Sequence, residues 1–270
     1  MNILITLDNR YIEPARVMLS SLQRKNRQVS LDVYVLHSCL TEESIAALKN
    51  VLNPEFCRLY PICVNDRLLA FAPTTDRYPQ EMYYRIFAAR YLPQEIDRIL
   101  YLDPDIVING RLEELYSTDI DGYLLAAATH VREIMRKINV LRLGMHEDGT
   151  YINSGVLLMN LKQLREEQDY NKVFEYIKKY KNMLTLPDQD VLSGLYSDRI
   201  LPIDACGYNV TERLFTLYFS SEAWRDINWV RANSAIIHYC GRNKPWKENY
   251  IGKLDVFYRF AVKHMKVYEW

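Results

Sequence analysis

Short apolar runs alternate with stretches of helical periodicity along most of the 270-residue chain. A series of this kind, in which buried strands are followed by amphipathic helices, is typical of an α/β fold with a central sheet. The predicted strands cover residues 3–7, 31–36, 56–64, 99–103, 123–128, 155–161, 200–203 and 234–239. The first predicted helix begins near Pro14. The other predicted helices cover residues 41–52, 81–92, 134–144, 161–180, 187–196 and 254–262, with a shorter amphipathic turn at 111–116.

The third predicted strand contains Pro61, which cannot donate a ladder hydrogen bond. We therefore expect this strand at an edge of the sheet or at a bulge. The sequence contains no internal repeat, low-complexity segment or convincing linker. A single domain is the organisation that these features predict.

The predicted strand at 99–103 ends in two acids separated by a proline, Asp103-Pro104-Asp105. Proline disfavours helical geometry in the residue before it, so the segment is expected to be extended. In an extended segment, side chains two positions apart point the same way, and the two carboxylates then converge. Such a pair is costly unless a cation lies between them, and oxygen ligands suit Mn²⁺ or Mg²⁺ carrying a phosphate. By itself, an Asp-X-Asp at a strand end is nearly always an ordinary turn.

Composition and charge exclude several classes of protein. The formal net charge is zero, which gives no electrostatic basis for nucleic acid binding. The five cysteines are odd in number and contain no C-x-x-C, which argues against a disulfide framework or a zinc knuckle and favours a reduced, cytosolic setting. The N-terminal run lacks a basic region and breaks at Asp8, unlike a signal peptide, and no apolar stretch approaches the roughly 20 residues that span a bilayer.

A third metal ligand is expected to accompany the two carboxylates. His238 ends an apolar strand and is followed by a loop that contains Gly241, Lys244 and Trp246. Glycine allows a backbone to approach a ligand closely, and lysine supplies a point charge for a phosphate. His238 is therefore the candidate ligand, with the loop as a candidate phosphate site.

The ordered set of motifs resembles the retaining glycosyltransferases of family 8, in particular bacterial lipopolysaccharide galactosyl- and glucosyltransferases. The resemblance covers nearly the whole chain. It rests on the opening strand that runs into Asp8, the helix that carries Arg85, the motif 100–105, the motif 153–161, Asp188-Gln189-Asp190, and the ending His238-x-x-Gly241-x-x-Lys244-Pro245-Trp246.

This resemblance implies a GT-A type fold, in which a single α/β domain has a Rossmann-like mixed central sheet with helices on both faces. Residues 1–108 would form the half that binds the nucleotide sugar, and residues 109–235 the acceptor side. Residues 236–270 would form the closing metal and diphosphate loop and the C-terminal helix. The activity implied is transfer of glucose or galactose from a UDP-sugar to a glycan or glycolipid acceptor, with Mn²⁺, or alternatively Mg²⁺, as cofactor.

The resemblance also assigns roles to individual residues. The metal ligands would be Asp103, Asp105 and His238, with Pro104 between the two acids. Gly241 and Lys244 would hold the diphosphate, Asp8 would face the uracil, and Tyr11 could stack on the base. Arg85, Asn153, Asp188 and Gln189 would line the donor sugar and the reaction centre. From the residues alone, Asp188 could equally cap its helix and Arg85 could lie on a solvated helix face.

The stereochemical mechanism is expected to involve front-face attack. Retention by double displacement requires a carboxylate nucleophile, whereas the matching position here is Gln189, and an amide is a poor nucleophile. Two positions depart from the family pattern. Arg10 stands where relatives commonly carry a ribose-binding asparagine, and His130 stands where an acid is common near the donor sugar.

Two other functions fit the same motifs. One is a self-glycosylating primer of the glycogenin type, and the other is a nucleotide-sugar-binding module without turnover. Acceptor choice is expected to depend on the loops 67–79 and 131–150. The enzyme would be cytoplasmic, and a weak, peripheral association with the inner face of the membrane is compatible with the sequence.

Overall fold

The computed structural model describes residues 1–65, 69, 72–74, 79–219 and 226–269, with the backbone alone for 217–219. Most of the predicted acceptor loop 67–79 therefore lies outside the described residues. Within the described part, the strands are β1 Asn2–Thr6, β2 Leu31–His37, β3 Cys57–Cys63, β4 Arg98–Leu102, β5 Ile106–Ile108, β6 Leu125–Ala128, β7 Val156–Asn160, β8 Ile200–Ile203 and β9 Ile236–His238.

The helices of the described residues begin with a 3₁₀ turn, Asn9–Tyr11. They continue as α1 Ile12–Lys25, α2 Glu42–Lys49, α3 Glu81–Tyr84, α4 Ala88–Tyr91, α5 Glu113–Ser117, α6 Glu133–Leu143, α7 Leu161–Glu167, α8 Tyr170–Tyr180, α9 Pro187–Tyr196, α10 Ala205–Tyr208, α11 Glu212–Phe219, α12 Ile227–Asn233 and α13 Asp255–Lys263.

Seven strands form the central sheet in the order β3-β2-β1-β4-β7-β6-β8. The first four in this order are parallel, β7 is antiparallel to both of its neighbours, and β8 is parallel to β6. The sheet is therefore mixed, as expected. β3 pairs only with β2, so Pro61 lies on an edge strand as predicted.

Helices cover both faces of the sheet. Along β4, Ile99 and Tyr101 belong to one apolar core, whereas Leu100 and Leu102 belong to the other. This alternation follows from the period of two in an extended strand. The first core also contains residues of α8 and α9, and the second contains residues of α1. The single α/β domain with helices on both faces is confirmed.

Two predicted helices are each broken in the structure. The segment predicted at 81–92 forms α3 and α4, because i→i+3 hydrogen bonds such as Ile86 N–H to the Tyr83 carbonyl replace regular helix between them. The segment predicted at 161–180 forms α7 and α8. The break lies at Asp169, whose carboxylate caps the start of α8 by accepting from the Asn171 and Lys172 amides.

One strand and three helices were not predicted from the sequence. β5 follows Asp105 directly and pairs antiparallel with β9 in a separate two-stranded sheet. The helices α10, α11 and α12 occupy most of the described part of residues 204–233. A third apolar core lies under this region and includes Val107, Ile237 and Tyr258.

The described residues contain no helix that is both long and apolar enough to cross a bilayer. None of the five cysteines forms a disulfide. Neither a disulfide nor a membrane span therefore contributes to the described fold.

Candidate active site

The two-stranded sheet brings His238 to the Asp-X-Asp segment. β4 ends at Leu102, the segment Asp103–Asp105 follows, and β5 begins at Ile106. In the antiparallel register of β5 and β9, Ile106 lies opposite His238. Because Asp105 immediately precedes Ile106, this register fixes the histidine beside the carboxylates, although more than 130 positions separate them in the sequence.

The three predicted metal ligands form one cluster. Ligand atoms from Asp103, Asp105 and His238 all lie within 4.8 Å of one another. His238 Nε2 is 3.5 Å from Asp103 Oδ2 and 3.3 Å from Asp105 Oδ1. Both His238 Nε2 and Asp105 Oδ1 are buried without a hydrogen-bond partner among the described residues. Buried polar atoms left unpartnered in this way fit a site for a divalent cation.

The protein compensates the carboxylates with its own cations. Burial alone would raise the pKa of Asp105, but the Lys244 ammonium that contacts it holds that pKa well below its usual range. Burial would likewise lower the pKa of His238, whereas the Asp105 carboxylate raises it to about 10. Lys244 Nζ also donates to the Tyr239 carbonyl at 2.9 Å.

A chain of two asparagines orients the histidine. His238 Nδ1 lies 2.9 Å from Asn209 Oδ1, and Asn209 Nδ2 donates to Asn153 Oδ1 at 3.0 Å. Because a side-chain carbonyl accepts, Nδ1 carries a proton, and Nε2 faces the carboxylates, where a divalent cation would take the place of the second ring proton. This is the usual arrangement around a metal-binding histidine.

Asn209 was not identified from the sequence, where it stands out only as part of a glycosylation sequon. It is fully buried. Asn153, predicted to contact the donor sugar, uses its side-chain oxygen for Asn209 and for the Gly155 amide at 3.1 Å. It therefore supports the histidine through Asn209, and its contact with the donor sugar stays a prediction.

Arg85 is buried between two carboxylates. Its Nη1 is 3.0 Å from Asp103 Oδ1 and 3.1 Å from Asp188 Oδ2. The guanidinium lies over the Tyr101 ring, 4.3 Å from the centroid, and the Tyr101 hydroxyl donates to Asp103 Oδ1 at 2.6 Å. The alternative of a solvated helix face is therefore wrong for Arg85.

Asp188 lies in the same buried network. Its Oδ2 accepts from the Ser154 hydroxyl at 2.7 Å, and Leu186 rather than Asp188 occupies the N-cap of α9. Burial raises the pKa of the Asp188 carboxyl despite the opposing charge of Arg85. Gln189 lies beside it, and its side-chain oxygen is 3.4 Å from the Ser154 amide.

The closing loop places aromatic rings beside Lys244. Gly241 has a φ of 89°, in the left-handed region that favours glycine. Tyr11 and Trp246 meet edge to face at a centroid distance of 6.3 Å, and Lys244 Nζ lies 5.7 Å from the Tyr11 centroid. Tyr11 and Lys244 are thus adjacent.

Asp8 is held by the residue that departs from the family pattern. Arg10 donates from Nε at 2.8 Å and from Nη2 at 2.6 Å to Asp8 Oδ2. Asp8 Oδ1 accepts from the Arg10 amide at 2.8 Å. Contact between Asp8 and a uracil would therefore be made by a carboxylate already paired with Arg10.

His130 is the second residue that departs from the family pattern, and it is neutral in the structure. Burial lowers its pKa to about 4, and its Nε2 is buried without a partner among the described residues. His238 also lines a cavity of about 460 Å³, together with Glu212, Arg213, Tyr239 and Tyr250, among others.

Comparison with known proteins agrees with this geometry. Residues 2–250 match the family described as glycosyl transferase family 8. A putative glycosyltransferase of Haemophilus influenzae is 28% identical over 249 residues, which cover 91% of this chain and 73% of that protein. The lipopolysaccharide 1,2-glucosyltransferase of Escherichia coli K12 is 26% identical over 268 residues, covering 98% of this chain and 78% of that protein.

The same fold is found in a solved structure. The crystal structure of the galactosyltransferase LgtC with donor and acceptor sugar analogues superposes with a TM-score of 0.86 at 24% identity, and the match covers 100% of this chain and 98% of LgtC. The likeness to LgtC shows the GT-A fold. The family is shown by the sequence match, which extends over residues 2–250. The chain belongs to glycosyl transferase family 8 and is a glycosyltransferase.

Proposed function

We propose that this glycosyltransferase transfers glucose or galactose from a UDP-sugar to a glycan or glycolipid acceptor, with retention of configuration and with Mn²⁺ or Mg²⁺ as cofactor. The observation that carries the proposal is the cluster of Asp103, Asp105 and His238, in which two buried ligand atoms have no partner among the described residues. Two relatives support the hexose and the type of acceptor. They are named lipopolysaccharide 1,2-glucosyltransferase and lipopolysaccharide 1,3-galactosyltransferase.

A divalent cation at this cluster would neutralise charge that develops on the departing diphosphate. Lys244 would add to this effect. An ammonium has three donors, and two of the Lys244 donors contact Asp105 and the Tyr239 carbonyl, which leaves one for a phosphate oxygen. Gly241 would let the loop backbone approach the diphosphate, with Tyr11 stacking on the base and Asp8 facing the uracil.

The donor sugar would lie between the metal cluster and α9. Asp188 and Gln189 offer acceptors and an amide to sugar hydroxyls, while Arg85 holds both Asp103 and Asp188 in place. In this account Gln189 is not a nucleophile, and the acceptor attacks from the face that the UDP leaves. A covalent glycosyl-enzyme trapped at Gln189 in the wild type would contradict front-face attack.

We also propose a division of the chain into functional parts. Residues 1–108 would bind the nucleotide sugar, 109–235 would face the acceptor, and 236–270 would close over the diphosphate. We propose a cytoplasmic enzyme, peripheral at the inner face of the membrane where its acceptor is a glycolipid.

A donor screen tests the proposal. UDP release is measured from UDP-glucose, UDP-galactose and UDP-N-acetylhexosamines, with and without Mn²⁺. We expect Mn²⁺-dependent release from one of the two hexose donors. Asp105→Asn should reduce it on the order of a hundredfold or more, while Asp198→Asn, at an exposed carboxylate, should not change it. UDP binding without release from any donor would contradict turnover.

A further inference from the structure

A second cavity, of about 250 Å³, lies at the C-terminal end of α1. Its walls include four cationic or ionisable side chains and two aromatic rings: Arg24, Arg27, His264, Lys266, Phe56 and Tyr268. No carboxylate is among the described residues that line it. The described lining therefore combines basic side chains with aromatic rings and has no acidic group.

This cavity is remote from the metal cluster. α1 begins directly after Tyr11, which lies beside Lys244, and the cavity is at the opposite end of the helix. A helix of 14 residues is about 21 Å long at the usual rise per residue. A ligand in this cavity would therefore occupy a site separate from the donor site.

The positive charge of this cavity is not compensated by the described part of the protein. Arg24, Arg27 and Lys266 form no ion pair within the residues that the structure describes. Arg24 Nε and Nη1 are buried and lack a hydrogen-bond acceptor there. The guanidinium instead lies over the Phe260 ring, 4.9 Å from its centroid. Burial and the nearby Arg27 lower the pKa of Arg24, as expected for crowded like charges.

The helix dipole accounts for only part of this arrangement. Cations in the last turn of a helix are stabilised by its C-terminal partial charge, which suits Arg24 and Lys25. Arg27 lies beyond the helix, and Lys266 comes from the other end of the chain. The C-terminal segment is held near by the Tyr268 amide, which donates to the Asn50 carbonyl at 2.7 Å.

We propose that this cavity is a binding site for a phosphate group. Guanidinium and ammonium groups from Arg24, Arg27 and Lys266 match phosphate oxygens in charge and in donor geometry. The rings of Phe56 and Tyr268 would contact the carbon skeleton to which the phosphate is attached. The phosphate belongs either to a small phosphorylated molecule or to a lipid headgroup.

Calorimetric titration of the metal-free protein with inorganic phosphate, and sedimentation with phosphatidylglycerol or phosphatidylcholine vesicles, test the site. The double variant Arg27→Gln/Lys266→Gln changes only exposed side chains, so it should fold normally. We expect it to weaken binding at least tenfold. Lys25→Gln, at the same helix end but outside the cavity, should change binding less than twofold.

The two ligand sources give different patterns. Phosphate binding that the double variant abolishes supports a small phosphorylated ligand, and binding to phosphatidylglycerol vesicles alone, again abolished, supports a lipid phosphate. The proposal is overturned if neither probe binds, if Lys25→Gln has the same effect as the double variant, or if only Lys244→Gln weakens binding.

Discussion

At the scale of single residues, two carboxylates in the first turn of α9 have different surroundings. Asp188 contacts Arg85 and the Ser154 hydroxyl at the candidate active site. Asp190 is fully buried and faces Arg142 and the Tyr151 hydroxyl instead. Residues two positions apart on a helix point in roughly opposite directions. Asp188 therefore faces the candidate active site, whereas Asp190 stabilises the fold.

Loss of the Asp190 charge should destabilise the fold. Asp190→Asn leaves the Arg142 guanidinium without its carboxylate, and breaking a buried ion pair in this way is expected to cost about 3 kcal/mol. Urea unfolding measures the change. Glu133→Gln, which breaks the exposed pair with Arg136, is the matched control and should have little effect. Equal midpoints for the two variants would contradict a structural role for Asp190.

The buried Cys57 thiol should resist alkylation. Burial raises its pKa to about 11, so at pH 8 almost none of it is the reactive thiolate. Cys39, Cys63 and Cys240 are exposed. Mass spectrometry after iodoacetamide treatment should find these three modified and Cys57 unmodified, with Cys57 reacting as pH approaches 11 or after denaturation. Rapid modification of Cys57 at pH 8 in the native protein would be inconsistent with its burial.

The sequence predicted the cluster of ligands but not their support. Asp103, Asp105 and His238 could be selected because their residue types and strand-end positions match metal chemistry. Asn209 could not be selected from the sequence. It comes to lie beside Nδ1 of the histidine only when the chain folds, and no local sequence pattern indicates this contact. Asn153, which was predicted to line the donor sugar, also belongs to this support, because its side-chain oxygen accepts from Asn209.

At the scale of elements, prediction succeeded where the hydrophobic pattern was long. The strands of the central sheet were all predicted, and in β1, β2, β4, β6 and β7 the apolar run that predicted the strand is buried. β5 was missed because three residues are too few to show a period. The break between α3 and α4 was also missed, since the apolar spacing continues through the tightened turn that contains Arg85.

The entry to β7 should tolerate no side chain at Gly155. A Cβ added there would lie 2.8 Å from Asp103 Oδ2 and closer still to His238 Cε1. Gly155→Ala should therefore weaken Mn²⁺ binding at least tenfold and cost roughly 1–3 kcal/mol of stability through overpacking. Mn²⁺ titration and urea unfolding measure the two effects.

Gly122→Ala provides the control for this substitution. Gly122 has a φ of 78° and open space around its Cα. Alanine there should cost about 1 kcal/mol through backbone strain and leave Mn²⁺ affinity unchanged. Wild-type metal affinity in Gly155→Ala would show that the cluster is not packed against β7 as the structure has it.

At the scale of the whole molecule, strand order ties the two halves together. β4 lies between β1 from residues 1–108 and β7 from residues 109–235, and β5 pairs with β9 from residues 236–270. Neither half therefore completes its sheet without the other. We expect the chain to unfold as one cooperative unit.

Two probes of unfolding should report the same transition. All four tryptophans lie between residues 224 and 270, so their fluorescence reports on the last part of the chain. Far-UV circular dichroism reports on the helices and strands throughout. The urea midpoints from the two signals should coincide. A fluorescence transition at clearly lower urea would show that the C-terminal part unfolds independently.

Mn²⁺ binding in the presence of UDP is the most direct test of the active-site assignment. Electron paramagnetic resonance of free Mn²⁺ should show one tight site per wild-type chain. Asp105→Asn and His238→Gln should each weaken it at least tenfold, whereas Asp198→Asn should match the wild type. Wild-type affinity in both cluster variants would contradict the assignment of Asp103, Asp105 and His238 as the metal site of this glycosyltransferase.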